Sequence, residues 1–329
     1  MRLRTAGGCV CQCFGRSSAF SGQAIAIFVS TCLVTASGAD DAPDAPALPA
    51  ECTEKVGPMP DLCQTDQAFR SLPHEGKYSC GPAAFANVLI WMDRHGFEDL
   101  VAGDVRSKGG QRALLEVLGS KPYLQTTRHG ISPLAAMKGI RHFVEERGYH
   151  AEVEWRGWRR GGEFSTDPFV DPSWLREGVG GESNVVLNVG WYRYDRSEDL
   201  YSRLGGHYTT LVGYRQEGDR FTYLIHDPAP RSGPGKVTHE SRLVPLQTGR
   251  MAPWKQYGPR DAAGYFLVEG IVLKSTADVA ILDGAIRLAI SNPQMTLHDS
   301  GAKQAESSQD HAGAFSDRVL RLPLADDSG

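Results

Sequence analysis

The stretch KYSCGPAAFANVLIWM, which runs from Lys77 to Met92, places a cysteine directly before Gly-Pro at the start of an apolar segment. After the cysteine, apolar residues recur at every third or fourth position, a spacing that predicts a helix with one face in the core. The proline falls in the first turn of this helix, where its missing backbone N–H costs nothing. Cys80 therefore stands at the N-terminal end of a helix predicted over residues 81–95.

The N-terminal end of a helix favours a negative charge, because its backbone N–H groups are unpaired and the helix dipole is positive there. A thiol in this position can have its pKa lowered from ~8.5 into the range ~3.5–7.5, above all beside a cationic histidine. Cys80 is therefore a candidate nucleophile. The alternative is a small apolar side chain that fills the core, as free cysteines often do. A base close to the thiol would decide between the two interpretations.

His207 and Asp227 are the candidate base and the group that orients it. His207 begins the strand-like segment GHYTTLVGYRQ after two glycines, and Asp227 ends the strand-like run of RFTYLIHDPA. If these segments form a hairpin with a three-residue loop at 216–218, the two residues are directly opposed, with Cβ atoms ~4.5–5.5 Å apart. A two-residue loop would place them on opposite faces unless a bulge compensates. His226 and Asn188 are the nearest competitors for the two roles.

The bulk composition fits a globular protein and gives no reason to expect nucleic-acid binding. The chain has 329 residues, 22% of them charged, and a formal net charge of −4; residues 1–39 carry three arginines and no acidic residue. Nucleic-acid-binding surfaces need a basic patch or stripe, and this mildly acidic chain has no basic run. No cluster of ligand residues indicates a metal or an organic cofactor.

Residues 1–39 are predicted to be a signal peptide. Three arginines precede an apolar core at 24–36, and small residues precede Asp40. This core is too short for a membrane-spanning helix, which needs roughly 20 residues. Lipid attachment at Cys32 is the less favoured alternative, and CVCQC at 9–13 is interpreted as part of the leader, not as a metal cluster. We therefore expect an exported protein, periplasmic or extracellular, with no spanning segment after leader removal.

Export restricts which cysteines stay in the mature chain. Removal of the leader would leave Cys52, Cys63 and Cys80. An odd number of cysteines in an oxidising compartment indicates one disulfide and one free thiol. Cys52 and Cys63 are close in sequence and enclose a Gly-Pro-Met-Pro loop, so we predict that they form the disulfide and that Cys80 stays reduced.

The order of the predicted elements indicates an α+β domain, with a helical half packed on an antiparallel sheet. Helical spacing and capping residues come first, and β-branched and aromatic runs follow. An Ala/Pro/Asp linker at 40–51 precedes the domain at 52–275, and a C-terminal helix at 276–292 and a disordered tail at 293–329 follow it. Helices are predicted at 81–95, 111–118, 132–147 and 172–177, and strands at 183–194, 206–216, 220–229 and 263–274.

Together these motifs resemble the double-glycine-leader (bacteriocin-processing) cysteine peptidases of the papain-like superfamily. The resemblance spans roughly residues 61–274 and rests on YSCGPAAFANVLIWM, GGHYTTLVGY and the strand end YLIHDPAP. It implies a papain-like fold, with Cys80 as nucleophile, His207 as general base and acid, and Asp227 as the group that orients the imidazole. It also implies a peptide or protein substrate and no metal or organic cofactor.

The sequence departs from this family's pattern ahead of the cysteine. Family members usually place a glutamine about six residues before the nucleophile, where its amide donates to the oxyanion, whereas His74 stands there in this chain. His74 could donate the same hydrogen bond, or Gln64 or Gln67 could supply it from further upstream. Loss of one such donor typically costs ~10²–10³ in rate.

Three functions are compatible with these patterns. The first is amide hydrolysis through a thioester at Cys80, the second a catalytically idle binding module that keeps the cleft, and the third acyl transfer, in which an amine resolves the thioester. The segment EVEWRGWRRGGEFSTDPF at 152–169 is interpreted as an insertion between the two halves. Its two tryptophans and its Arg-Arg pair are candidates for substrate contact, and a solvated loop is the favoured interpretation.

Overall fold

The structure is a computed structural model that describes residues 48–229, 237–253 and 258–292. The predicted signal peptide, most of the predicted linker and the predicted tail lie outside these residues. No helix in the described ranges is both long enough and apolar enough to cross a membrane.

Four α-helices occur in the described residues, and each lies where the sequence predicted one. Three of them begin after a residue whose side chain accepts a hydrogen bond from an amide of the first turn: Ser107, Ser132 and Asp171. Such caps satisfy N–H groups that have no partner inside the helix. The helices are α1 (Cys80–Asp93), α2 (Lys108–Gly119), α3 (Pro133–Glu145) and α4 (Pro172–Gly180).

The strands of the described residues form one mixed sheet whose central part closes on itself. They are β1 (Glu51–Cys52), β2 (His150–Gly157), β3 (Ser165–Asp167), β4 (Asn184–Asp195), β5 (Leu200–Glu217), β6 (Arg220–His226), β7 (Thr238–Pro245), β8 (Arg250–Ala252), β9 (Arg260–Asp261), β10 (Phe266–Glu269) and β11 (Val279–Ser291). In the order β4, β5, β6, β7, β10, β11, each strand is antiparallel to the next, and β11 pairs with β4 again, which makes a closed ring. The short strands β3 and β8 pair in parallel with β2 and β5. The predicted α+β class is confirmed.

The predicted C-terminal helix at 276–292 is wrong, because this segment contains β11, a central strand. Ile286 pairs with β4 on one edge and with β2 on the other. A strand covered on both faces carries apolar residues without alternation, so AILDGAIRLAI suits a buried helix as well as a buried strand. β11 bulges at Asp283 and Gly284. Both residue types are unfavourable in the interior of a helix, so they were the signal in the sequence against a helix here. The domain includes β11, and its predicted end at residue 275 is too early.

Two segments predicted to be a solvated insertion and a linker contribute strands to the fold. The interpretation of 152–169 as a solvated insertion is wrong, because its first residues form β2. Trp155 in β2 has no exposed surface, and its indole N–H donates to the carbonyl of Arg159 at 2.8 Å. The predicted linker at 40–51 is too long, because Glu51 already pairs with β5.

The main core lies between α1 and the sheet. α1 packs against α2 and against β5, and its residues from Gly81 to Ile90 are all buried. The expectation of a single apolar face is wrong: the helix is apolar all round because it is covered all round. The hydroxyl of Thr210 in β5 donates to the carbonyl of Ala84 (3.1 Å) and accepts from the amide of Asn87 (3.3 Å). These bonds fix the first half of α1 against β5.

The hairpin of β5 and β6 has a two-residue turn, so the predicted three-residue loop is wrong. The turn consists of Gly218 and Asp219, and Gly218 has a φ of 60°, a left-handed conformation that glycine adopts at little cost. The register of the pairing then shifts by one residue at Val212. Such a bulge reverses which face the side chains beyond it occupy. His207 and Asp227 therefore share a face in spite of the short turn.

A buried ion pair joins β5 to β11. Nε of Arg203 donates to Oδ2 of Asp283 at 2.8 Å, Nη2 lies at the same distance from that oxygen, and both side chains are almost completely inaccessible. Oδ1 of Asp283 accepts from the hydroxyl of Tyr192 (2.6 Å) and from the indole of Trp158 (2.8 Å). Both carboxylate oxygens thus have donors, which offsets the cost of burying the charge.

Arg203→Met should lower the free energy of unfolding by about 3–5 kcal/mol, because it leaves the Asp283 carboxylate buried without its cation. The double variant Arg203→Met/Asp283→Leu should recover most of the loss, since no charge is then buried. Urea unfolding of the three proteins measures both effects. A loss below ~0.5 kcal/mol for the single variant, the size of an ordinary surface substitution, would contradict this role of the pair.

Candidate active site

Cys80 is the first residue of α1 and lies half-buried beside β5. The side chain of His207 and the backbone N–H groups of Gly81 and Tyr208 are close enough to act on the thiol as hydrogen-bond partners. The N-cap residue Ser79 makes no side-chain capping bond, so it does not compete for the first-turn amides. The thiol thus sits among donors supplied by both the helix and the strand.

The end of β6 explains how a helix terminus reaches this part of β5. The last paired residue of β6 is His226, and the edge of β5 beyond that point, towards His207, is open to α1. Gly81 packs there against Tyr208, and a Cβ on Gly81 would collide with the side chain of Ile131. Glycine after Cys80 therefore leaves room for the side chain of Ile131 beside Tyr208.

His207 and Asp227 form a short polar contact on the other side of the thiol. Nε2 of His207 lies 2.5 Å from Oδ1 of Asp227, and that oxygen also accepts from the backbone N–H of Ala229 at 2.8 Å. With Nε2 directed at the carboxylate, Nδ1 is the ring nitrogen left to face Cys80. The structure thus brings the three predicted residues together in the order thiol, imidazole, carboxylate.

The charges of this cluster favour a thiolate and an imidazolium. Burial raises the pKa of Cys80, but His207 and the two backbone N–H groups outweigh it, so the pKa of the thiol is lowered. Burial lowers the pKa of His207, yet the charge and hydrogen bond of Asp227, together with Cys80, raise it to about 10. Burial also raises the pKa of Asp227, but the imidazolium brings it below its usual value. Both shifts favour the state in which the proton lies on His207 and not on Cys80.

Trp191 is part of this site although the sequence patterns did not indicate it. Its ring stacks on the imidazole of His207, with 5.6 Å between centroids and an interplanar angle of 25°. Val189 pairs with His207 across β4 and β5, and a residue two positions along a strand lies on the same face. Trp191 lies two positions from Val189, the residue that pairs with His207, and this spacing was the signal in the sequence that its ring lies beside the imidazole. The indole shields one face of the imidazole from water.

The two residues predicted as oxyanion donors, His74 and Gln67, lie at the surface. His74 is exposed, and its ring packs edge-on against Tyr78 with 5.2 Å between centroids. Gln67 is exposed in a short 3₁₀ helix, Gln67–Phe69. Their assignment to the oxyanion stays a prediction.

Gln64 is the buried glutamine near the site, and it holds the turn that precedes the nucleophile. Its Nε2 donates to the carbonyls of Gly76 (3.1 Å) and Lys77 (2.8 Å), and its backbone N–H donates to the carbonyl of Pro228 (2.9 Å). The side-chain amide is therefore engaged with backbone in this arrangement. Gln64 ties the turn before the thiol to the segment that follows the carboxylate.

His226 and Asn188, the competitors for the roles of base and orienting group, make other contacts. Nδ1 of His226 lies 3.0 Å from the carbonyl oxygen of Pro60, and Nε2 lies 3.3 Å from the hydroxyl of Thr238. The side-chain amide of Asn188 donates to the backbone carbonyl of His207 (3.4 Å) and not to its ring. The imidazole is oriented by the carboxylate across the hairpin.

The predicted disulfide between Cys52 and Cys63 is wrong, because the cysteines of the described ranges are free thiols. Cys52 pairs with Tyr214 of β5, and its sulfur lies 3.7 Å from the carbonyl oxygen of Val179. The sulfur of Cys63 lies 3.6 Å from the carbonyl oxygen of Ala229. Closeness in sequence does not bring the two sulfurs together, because the pairing of β1 with β5 directs Cys52 to a different part of the core.

Within the described ranges, no group of three or more His, Cys, Asp or Glu side chains is arranged to hold a metal ion. A scan of the sequence against protein-family models found no match. A search of the curated proteins found no match either. The assignment of a function therefore depends on the motifs and on the geometry of the site.

Proposed function

We propose that this chain is a papain-like cysteine peptidase that hydrolyses an amide bond through a thioester at Cys80. The observation that carries the proposal is the chain of contacts from the Cys80 thiol through His207 to Asp227, with 2.5 Å between imidazole and carboxylate. A thiol, a base and an orienting group in this order are the parts of nucleophilic catalysis by cysteine. A ring of strands packed on a helix that begins with the nucleophile is compatible with a papain-like fold.

The ion pair is prepared for attack on a carbonyl carbon. The thiolate of Cys80 forms the C–S bond while the carbonyl electron pair moves to oxygen, and the backbone N–H of Cys80, at the start of α1, is the donor we expect for that oxyanion. His207 then gives its proton to the amine as the C–N bond breaks. Water next attacks the thioester and loses a proton to His207, and the thiolate leaves as the acid product forms. Asp227 keeps the ring oriented and stabilises the imidazolium throughout.

We further propose that the substrate is a peptide or protein outside the cytoplasm. The predicted signal peptide at 1–39 supports export, and lipid attachment at Cys32 is the alternative way to reach the same side of the membrane. Neither a metal nor an organic cofactor has a step in this mechanism. The mildly acidic charge of the chain argues against a nucleic-acid partner.

A catalytically idle binding module is the second candidate. The observation that favours it is the position of the side chains expected to donate to the oxyanion: His74 and Gln67 are exposed, and the amide of Gln64 is bonded to backbone. An enzyme that lacks one such donor typically loses ~10²–10³ in rate. In an idle module, Cys80 would react with small electrophiles while no amide bond is cleaved.

Digestion of a broad peptide library separates these candidates. The wild type should release products that the Cys80→Ala variant does not, and Cys63→Ala, which removes a half-buried thiol outside the triad, should cleave as the wild type does. Cleavage by Cys80→Ala at the wild-type rate would overturn the peptidase. A wild type that is alkylated at Cys80 but releases no product indicates the idle module. Added amines that appear in the products would indicate acyl transfer.

A further inference from the structure

The loop after β2 holds Arg159 firmly at its backbone. The indole N–H of Trp155, a fully buried side chain, donates to the carbonyl of Arg159 at 2.8 Å. A Cβ on Gly161 would collide with the same indole, so the loop packs closely against the core. The residue itself is partly exposed. Its side chain therefore extends from a fixed base and keeps part of its surface accessible.

The guanidinium of Arg159 lies beside a cluster that already contains a cation. Arg203 is next to it, and the carboxylate of Asp283 is engaged with Arg203, Tyr192 and Trp158. In the part of the chain that the structure describes, no carboxylate forms an ion pair with Arg159. Its polar contact there is Oδ1 of Asn188 at 3.5 Å, and burial with repulsion from Arg203 lowers its pKa.

Two residues connect Arg159 to the candidate active site. Asn188 accepts from the guanidinium and donates to the backbone carbonyl of His207. Tyr208 packs on Gly81, and the charges of both Arg159 and Cys80 act on its phenol. Asn188 therefore connects the cation to the strand that carries His207, and Tyr208 lies within electrostatic range of both the cation and Cys80.

Two glycines make room for the Arg203–Asp283 ion pair on the face of the sheet that carries Asn188 and Tyr208. Gly190 of β4 pairs with Gly206 of β5, next to the pair of Asn188 and Tyr208. A Cβ on Gly206 would collide with the Arg203 guanidinium, and one on Gly190 would lie 2.6 Å from the Asp283 carboxylate. The absence of these side chains lets the buried ion pair lie directly beside Asn188, so its cation adds to the positive potential at Arg159.

We propose that Arg159 binds a carboxylate of the substrate, close to the bond that Cys80 attacks, and so gives the enzyme a preference for acidic peptides. This inference rests on the proposed function and names its substrate class. A guanidinium presents a planar fork of donors that matches a carboxylate, and a partly desolvated cation without an anionic partner gains more from such a ligand than an exposed one. The carboxylate is that of an Asp or Glu side chain or of the peptide's C-terminus.

Matched peptides test the inference. From one cleaved library sequence, pairs are made that differ only by Glu against Gln at each of the four positions on either side of the cleaved bond, and a further pair differs by a free or an amidated C-terminus. The wild type should prefer the charged member at one position by about 10- to 100-fold in kcat/KM, the size of a hydrogen bond to a charged group. Arg159→Met should abolish that preference while it keeps the cleavage of the neutral member. Arg160→Met, which removes the exposed neighbouring arginine, should leave the preference unchanged.

The outcomes separate the two proposals. Cleavage without a preference at any position or terminus, or a preference that survives in Arg159→Met, overturns the anion site and leaves the peptidase standing. If the wild type cleaves nothing, the peptidase fails, and binding of fluorescent Glu and Gln peptide libraries to the Cys80→Ala protein decides on the anion site. Tighter binding of the Glu library that is lost in Cys80→Ala/Arg159→Met supports the site, and equal binding of the two libraries overturns it.

Discussion

His207→Ala should reduce kcat/KM for peptide hydrolysis by about 10³–10⁴, because it removes both the ion pair and the acid that protonates the leaving amine. The structure gives the imidazole two polar neighbours, Cys80 and Asp227, and no second base in contact with the thiol among the described residues. In the variant, burial acts against the thiolate and only the backbone N–H groups of Gly81 and Tyr208 offset it, so Cys80 should react as an ordinary thiol. The pH dependence of iodoacetamide labelling at Cys80 measures this without a substrate.

The two proteins should differ in the shape of that pH profile. In the wild type, the labelling rate should reach its plateau well below the ordinary thiol pKa, because the pKa of Cys80 is lowered. In His207→Ala, the rate should rise only as the pH approaches ~8.5 or above. Cys52 is an internal control, because burial raises the pKa of its thiol and it should label slowly in both proteins. Superimposable profiles for Cys80 in the two proteins would remove His207 from the mechanism.

Cys80 and His207 should also set the pH range of activity. Hydrolysis should begin as Cys80 deprotonates, below the usual thiol value, and should fall as His207 loses its proton at a pKa of about 10. Because the pKa of His207 is raised on folding, its protonation contributes stability that is fully present below its ordinary value of ~6.5. That contribution is lost as the pH rises through about 10.

His74→Ala is the matched histidine variant. Since the ring of His74 is exposed and contacts Tyr78, we expect the activity of this variant to stay within about 10-fold of the wild type. That effect is smaller than the loss of an oxyanion donor.

A chain that starts at Asp40 and ends after Ser275 should not fold. It lacks β11, which pairs with β2, β4 and β10 and contributes buried side chains to the core. Its removal breaks the ring of strands and leaves an unpaired edge on each of β2, β4 and β10, so the remaining core lacks the apolar partners and the hydrogen bonds that β11 supplied. The residues of β11 that are buried and apolar are Ala280, Ile281, Leu282, Ala285, Ile286, Leu288 and Ile290.

Far-UV circular dichroism and urea unfolding test this expectation. The control chain starts at the same residue and ends after Asn292, so it keeps β11 and at its C-terminal end lacks only residues 293–329. The control should unfold in one cooperative transition, whereas the chain that ends after Ser275 should show none. A cooperative transition in the shorter chain would mean that β11 is peripheral, as a terminal helix would have been.

The sequence predicted the helices well because their ends carry chemistry that acts locally. A capping oxygen at Ser107, Ser132 or Asp171 bonds an amide two or three residues away, and no distant part of the chain is needed to interpret it. The prediction for β11 was wrong for the opposite reason. Its neighbours β2 and β4 lie far away in sequence, and only they distinguish a strand buried on both faces from a helix of the same composition.

The candidate triad was predictable, but the route by which it assembles was not. Alternation along a strand gives the face of His207 relative to Asp227 only if every residue of the hairpin is paired. The bulge at Val212 adds one unpaired residue and corrects for the two-residue turn; Gly213 beside it is the local signal, since glycine inside a strand often marks a bulge. The disulfide was wrong because the thiols of Cys52 and Cys63 are placed by tertiary contacts, which spacing along the chain does not contain.

Gln64 joins the segment that precedes Cys80 to the segment that follows Asp227. Its side chain holds the turn before Cys80, and its backbone N–H bonds Pro228, the residue after Asp227. Local opening of a protein proceeds through cooperative units of contiguous contacts. A fluctuation that detaches this segment therefore disturbs nucleophile and carboxylate in one event, and the molecule should pass between a fully assembled site and a fully dismantled one. The backbone amide hydrogen of Gln64 should accordingly exchange at the same rate as the backbone amides of the turn before Cys80. That shared rate would measure the frequency of local opening at the site.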